Sequence, residues 1–222
     1  MDLGLKGQAA LVTGGSKGIG KAVARGLAEE GVRVAICGRD KASLEAAAQE
    51  LTKATGGEIL DLTEEDWQKA LQLKFMGYVR CIKAVIPHMQ RQGGGRIVNI
   101  VGNDGVKPIG IELSPSAANA ADLAMTVALA EQYGRQNILV NAINPGPVAT
   151  ERWGQLISGI ARMRKISVEE AQGRAERSIP LGRICTPEEV ANVAVFVASP
   201  RASFMNGAII TLDGGQRKAL LD

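Results

Sequence analysis

The sequence predicts an α/β protein built on a doubly wound parallel sheet. Three observations carry that expectation. Short apolar runs alternate with stretches of helical periodicity, and the links between them are brief. A glycine-rich turn joins the first apolar run to the first helical stretch. Aromatic residues make up only 3% of the chain against 45% hydrophobic residues overall, so Ala, Val, Leu and Ile must fill the interior, as in a sheet covered on both faces. With 222 residues, the chain is expected to form one domain over residues 1–222.

The elements follow in order. Gln8-Ala9-Ala10-Leu11-Val12-Thr13 reads as a buried strand that stops at glycines. Ile19, Ala22, Val23, Gly26 and Leu27 then fall on one helix face, and Gly31 closes that helix. Val32-Arg33-Val34-Ala35-Ile36-Cys37 is a second strand, and Leu44, Ala47, Ala48 and Leu51 mark a second helix ending at Gly56-Gly57. Thr63-Glu64-Glu65-Asp66 reads as a capped start for a long helix running toward Met89. Arg96-Ile97-Val98-Asn99-Ile100-Val101 is a strand, and Ser114-Pro115 is expected to cap and open a helix reaching Tyr133. Ile138-Leu139-Val140-Asn141-Ala142-Ile143 is a strand that halts at Asn144-Pro145-Gly146. An Arg-rich region of short helices and loops follows, then a helix opened by Thr186-Pro187-Glu188-Glu189, and a last strand, Ala208-Ile209-Ile210-Thr211-Leu212.

Gly14, Gly18 and Gly20 stand between the first strand and its helix. Glycines there let the backbone turn sharply and bring N–H groups against a pyrophosphate, with the positive end of the helix behind them. The ordinary alternative is a strand-to-helix turn without a ligand. The strand–helix–strand context favours the dinucleotide.

The spacing Thr13-Gly14-x-x-x-Gly18-x-Gly20 resembles the short-chain dehydrogenase/reductase family, and within it the 3-oxoacyl-[acyl-carrier-protein] reductase-like members. Asn144-Pro145-Gly146-Pro147-Val148-Ala149-Thr150, Pro187-Glu188-Glu189-Val190-Ala191 and Asp213-Gly214-Gly215 extend the resemblance in order to the end of the chain. It implies a Rossmann-like sheet in the order 3-2-1-4-5-6-7 and a nicotinamide dinucleotide. Gly14, Ser16, Lys17, Gly18, Ile19 and Gly20 would hold it from the turn, and Pro145, Gly146, Val148 and Thr150 from the later loop. The second strand ends in Gly38-Arg39-Asp40, and Lys17 and Arg39 sit where relatives that favour NADP carry cations, so NADP is expected over NAD. The alternative is NAD, with Asp40 on the ribose.

Two departures from the family pattern stand out. Glu58-Ile59 looks like the start of strand three, yet Asp61-Leu62-Thr63 already approaches the long helix. The remainder of strand three, a helix and strand four are missing, a unit that needs roughly 30 residues or more. Strand four would lie mid-sheet, and each backbone hydrogen bond it left unmade would cost about 1–3 kcal/mol. Either a segment is omitted, with a spatial break near residues 59–61, or the sheet is rewired around a true deletion.

The second departure is chemical. The resemblance implies a relay of Tyr, Lys, Ser and Asn, in which Tyr protonates the developing alkoxide. The Tyr position is Pro115 and the Lys position Asn119. The Ser position is Gly102 and the Asn position Lys74. Losing a positioned general acid costs a factor of about 10²–10⁴ in rate. Lys74, Asp104, Lys107, Glu112 and Ser114 are the candidate substitutes, each with a solvated or structural role as its alternative.

Two functions are therefore open. One is an NADP-dependent oxidoreductase acting on a ketone or secondary alcohol with a nonstandard acid. The other is a catalytically inactive nucleotide-binding relative that serves as a sensor or partner subunit. The long helices 63–89 and 115–133 are expected to pair copies of the chain into a homodimer or homotetramer, by analogy with the family. A net charge of +3, with its 26 Lys and Arg scattered, excludes a nucleic-acid footprint. No signal region or membrane span is read, so a cytoplasmic protein is expected. Cys37, Cys81 and Cys185 are too widely spaced for a metal and are expected as reduced, buried fillers. His88 is expected at a helix end, Trp67 on a core face, and Trp153 in a packing or lid role.

Overall fold

The computed structural model describes residues 2–37, 59–60, 62–108 and 110–216. The chain divides into two compact units. The first comprises Met1–Gly38, Pro145–Arg201 and Thr211–Asp222, and the second Arg39–Asn144 and Ala202–Ile210.

In the first unit, strand β1 (Ala9–Thr13) leads through the glycine turn into helix α1 (Gly18–Glu29), and the chain returns as β2 (Arg33–Cys37). β1 and β2 pair in parallel, from Ala9 opposite Arg33 to Thr13 opposite Cys37. This is the βαβ element of the sequence pattern. Leu5, Leu27, Val32 and Val195 form its core, with Ala10, Val12, Val23 and Val34 packed against them. The alternate β1 positions Ala9, Leu11 and Thr13 are exposed, Leu11 at 53%. The sequence led us to expect both faces buried; the described residues cover one. The expected second helix, with Leu44 to Leu51, and Arg39 lie outside the described residues.

Later segments of this unit form α4 (Glu151–Arg164), α5 (Val168–Arg177) and α6 (Pro187–Ala198). The side chains of Thr150, Ser167 and Thr186 cap them by accepting from the third residue in, and Glu189 completes a capping box with Thr186. Trp153 packs with Ile157, Ala161 and Ala171 between α4 and α5, and its Nε1 donates to Gln172 Oε1 at 2.8 Å. Its role in the structure is packing.

In the second unit, helix α2 (Glu64–Arg91) is capped by Thr63 in a box with Asp66, as the sequence signals. Strand β3 (Gly95–Ile100) pairs in parallel with β4 (Ile138–Pro145), from Gly95 opposite Ile138 to Ile100 opposite Ile143. Helix α3 (Leu113–Tyr133) joins them, and β5 (Ile209–Leu212) lies beside β4. All eight residues of β4 are buried, which explains its unbroken apolar pattern. Ile82, Ile86, Ile97, Ala130, Ile138 and Val140 make the core under α2 and α3.

Three expectations are corrected. Ser114 does not cap α3: the helix starts at Leu113 with Glu112 before it, and Ser114 lies 1% exposed in the first turn. Ile59 is in a turn rather than a strand, and Leu60 beside it is 92% exposed; Glu58 and Asp61 lie outside the described residues. Cys37 and Cys81 are exposed, not buried fillers, because each falls at an outward position of its element. Among the described residues no strand occurs between β2 and β3 in the chain.

Candidate functional site

The glycine turn is built by close approach. Gly14 has φ +68° and Gly18 φ +55°, the left-handed region where glycine is at ease. A Cβ on Gly20 would collide with the Gly14 carbonyl, whose carbon is 2.8 Å from the Cβ position. A Cβ on Gly18 would meet the Thr150 methyl at 3.4 Å. The Gly14 amide donates to Cys37 O at 2.7 Å, which ties the turn to the end of β2. Helix α1 begins behind the turn with no side-chain cap and no acidic residue in its first turn, whereas α2 carries Glu64, Glu65 and Asp66 there. Its positive end is thus left for an anion. These features fit the pyrophosphate of a dinucleotide.

Within the same unit the turn meets the Pro-Gly loop. Thr150 stands against Gly18, and Lys17 Nζ pairs with Glu151 Oε2 at 2.8 Å. Val148 bridges to Cys185, and the Gly146 amide donates to Leu212 O at 3.0 Å. Ser16 is exposed, Ile19 half-buried. A small cavity beside the loop is lined by Pro147, Ile179, Leu181, Cys185 and Leu212. Burial pushes the Cys185 thiol up to about 11, so it is no thiolate nucleophile. Arg183 pairs bidentately with Glu189, and the guanidinium holds that carboxyl down at about 2.

The positions the resemblance assigns to the relay lie in the second unit. Two of them, Gly102 and Asn119, meet at Asp104. Asn119 Nδ2 donates to Asp104 Oδ1 at 2.6 Å, and Ser116 Oγ donates to Asp104 Oδ2 at 3.4 Å. A Cβ on Gly102 would strike Asp104 Oδ1 and would lie 2.8 Å from Asn119 Nδ2. Gly102 is therefore required by the Asp104–Asn119 pair, which occupies the volume a Ser there would need. Pro115 is buried in the first turn of α3. Lys74 is half-buried on α2. Lys107 is exposed and Glu112 half-buried.

One residue here escaped the sequence reading. Asp122, one turn beyond Asn119 on the same face of α3, is fully buried, and both carboxyl oxygens lack a hydrogen-bond partner. Burial pushes its carboxyl up to about 7, against the opposing pull of the Lys74 ammonium. Tyr78, one turn beyond Lys74, donates its hydroxyl to Ile100 O. Burial, and then the Asp122 charge, push its phenol above the usual range. The legible signal for Asp122 was an acid at i+3 from Asn119 and i−4 from Thr126, on the buried stripe of a helix. Among the described residues no group of three His, Cys, Asp or Glu could hold a metal, and no helix is long and apolar enough to cross a membrane. His88 is exposed in the last turn of α2 beside Arg91, as expected, and Trp67 is half-buried.

Comparison with known proteins gives these features a family. A short chain dehydrogenase family model matches residues 8–60, and an enoyl-(acyl carrier protein) reductase family model matches residues 51–217. The two meet at 51–60, beside the expected interruption. The chain is 30% identical to 3-oxoacyl-[acyl-carrier-protein] reductase of Aquifex aeolicus over 257 aligned residues, covering 97% of this chain and 99% of that one. Since this chain has 222 residues, at least 35 of those 257 positions face a gap in it, enough for the missing strand–helix–strand unit. It is 31% identical to a probable 2,4-dienoyl-CoA reductase of Caenorhabditis elegans, covering 97% of this chain and 82% of that one. Among solved structures it is similar to L-sorbose reductase of Gluconobacter frateurii complexed with NADPH and L-sorbose, at TM-score 0.87 and 28% identity, covering 99% and 100% of the two chains. Actinorhodin polyketide ketoreductase with NADPH aligns at TM-score 0.86 and 27% identity, covering 94% and 97%. The glycine turn, the Pro-Gly loop and the matched length agree: this α/β, Rossmann-like chain belongs to the short-chain dehydrogenase/reductase family.

Proposed function

We propose that this protein binds NADP(H) on the glycine turn and interconverts a ketone and a secondary alcohol with a nonstandard acid–base group. The observation that carries the reading is the turn itself: Gly20 packed against the Gly14 carbonyl, with Gly14 and Gly18 at positive φ, before the uncapped end of α1. Its peptide N–H groups and helix dipole would hold the pyrophosphate, and Pro145, Gly146, Val148 and Thr150 would flank the nicotinamide half. When bound, the nicotinamide supplies or accepts a hydride. Lys17 supports NADP over NAD because it places a cation at the turn, and Arg39 would add a second. The solved structures of relatives with NADPH point the same way. Titration with NADPH and NADH tests the reading: tighter NADPH binding supports it, and no binding of either overturns it.

A second reading, a nucleotide-binding protein without turnover, is favoured by one observation. The Ser position is closed, since the Asp104–Asn119 pair fills the space beside Gly102. NADPH oxidation across a ketone panel separates the two: turnover supports the enzyme, and binding without turnover supports the sensor or partner subunit. A cytoplasmic homodimer or homotetramer, paired through α2 and α3, completes the proposal and is checked by sedimentation.

A further inference from the structure

We propose that Asp104 is the group that receives the substrate in this protein, and that because it can only accept hydrogen bonds it selects a hydroxyl-bearing ligand over a carbonyl. The inference rests on the oxidoreductase reading above and names the substrate's chemistry. Asp104 sits in the short helical turn Asn103–Gly105, directly after the C-terminal end of β3. In parallel α/β sheets ligands bind outside the carboxyl ends of the strands. The loop is held rigidly there. A Cβ on Gly105 would lie 2.8 Å from the Asn119 carbonyl carbon, so the turn rests directly on the α3 backbone.

The carboxylate is oriented by α3 and is not saturated by it. Oδ1 accepts from Asn119 Nδ2 at 2.6 Å, a short charge-assisted bond that fixes the plane of the group. Oδ2 has only the long contact from Ser116 Oγ, at 3.4 Å. An ionised carboxylate has about four acceptor sites and no donor, so Oδ2 keeps capacity for one further donor. The carboxylate stands beside Gly102, with Oδ1 where the Cβ of the Ser that Gly102 lacks would lie. A hydroxyl there would both donate and accept, and could hold a carbonyl; a carboxylate repels the carbonyl dipole and welcomes an O–H. The residue retains 8% exposure, so a ligand needs only a small opening to reach it.

The test uses the full chain, with cyclohexanol and cyclohexanone as probes, and reads binding by saturation-transfer NMR without cofactor. The wild type is expected to bind the alcohol at least fivefold better than the ketone. Asp104→Asn can keep the Asn119 bond through its oxygen and then presents an amide N–H₂ at the Oδ2 position. It is expected to reverse the preference toward the ketone, a change that a merely structural Asp104 would not produce. Asp104→Ala, which removes acceptor and donor together, should abolish discrimination. Equal binding of both probes by the wild type, binding of neither, or an unchanged preference in Asp104→Asn overturns the assignment. NADPH titration of the same proteins keeps the two ideas apart. Loss of nucleotide binding in the wild type sinks the functional reading; intact nucleotide binding without probe selectivity sinks only the role of Asp104.

Discussion

Lys17 reaches across 134 residues of sequence to the first residue of α4, where its Nζ pairs with Glu151 Oε2 at 2.8 Å. Both side chains are more than half exposed, and exposed pairs are worth about 0.2–1 kcal/mol. The bond is weak enough for a phosphate to displace. It joins the two loops that would enclose the dinucleotide, and it gives Lys17 an anion that competes with any 2′-phosphate. Glu151→Gln should free the lysine and tighten NADPH about two- to fivefold, leaving NADH nearly unchanged. Lys17→Met should weaken NADPH more than NADH. Calorimetric titration of both cofactors checks this, and equal shifts for the two would show that Lys17 does not read the phosphate.

Gly102 concerns a different kind of fit. Restoring the family's serine by Gly102→Ser places a Cβ where Asp104 Oδ1 already stands. The loop must shift or the Asn119–Asp104 bond must break, and overpacking of this kind costs about 1–3 kcal/mol. The variant should lose stability in urea unfolding and gain no reductase activity. A stable Gly102→Ser with new turnover would mean that the Asp104–Asn119 pair yields easily.

The contrast between these two residues shows what was legible. The glycine turn, the capping boxes at Thr63 and Thr186 and the helix ends depend on neighbours within a few residues, so the sequence displays them. The all-apolar β4 announces its burial for the same reason. The Asp104–Asn119 bond spans 15 residues and the Lys17–Glu151 pair 134, and no local pattern encodes either. Ser114 was misplaced because Ser and Pro together imitate a helix start, while α3 had already begun at Leu113. Cys37 and Cys81 were misplaced because residue type suggests burial but the face of the element decides it.

Tyr78 is the tyrosine that falls nearest the relay positions along α2, so it is the natural suspect for a replacement acid. Its bonding argues against that role. The hydroxyl is committed to Ile100 O, and burial disfavours the phenolate. An acid whose conjugate base is so disfavoured is a poor proton donor near neutral pH. Tyr78→Phe should cost about 1 kcal/mol of stability, the worth of one hydrogen bond, and leave any turnover within twofold. A hundredfold loss of turnover without loss of nucleotide binding would reinstate the phenol.

Asp122 makes stability depend on pH, in a direction opposite to that of an ordinary salt-bridged acid. Its carboxyl is raised from 3.8 to about 7 by burial, with the Lys74 ammonium opposing and no hydrogen bond to either oxygen. Tyr78 on α2 and the Thr126 hydroxyl on α3 are the other polar groups at hand; Thr126 gives its proton to Asp122 O, not to the carboxyl. Between pH 3.8 and about 7 the folded chain holds a proton that the unfolded chain has released. The contribution of Asp122 is thus fully present below pH 3.8, declines as pH rises through that window, and levels off above it. Asp122→Asn keeps the shape and cannot ionise. Its stability advantage over the wild type should grow by about 1–3 kcal/mol between pH 5 and pH 8, the cost of a buried charge partly offset by Lys74. Urea unfolding at pH 5, 6, 7 and 8 reads this directly. Parallel pH profiles for the two proteins would mean that Asp122 stays ionised when folded, held by Lys74 more firmly than its burial allows.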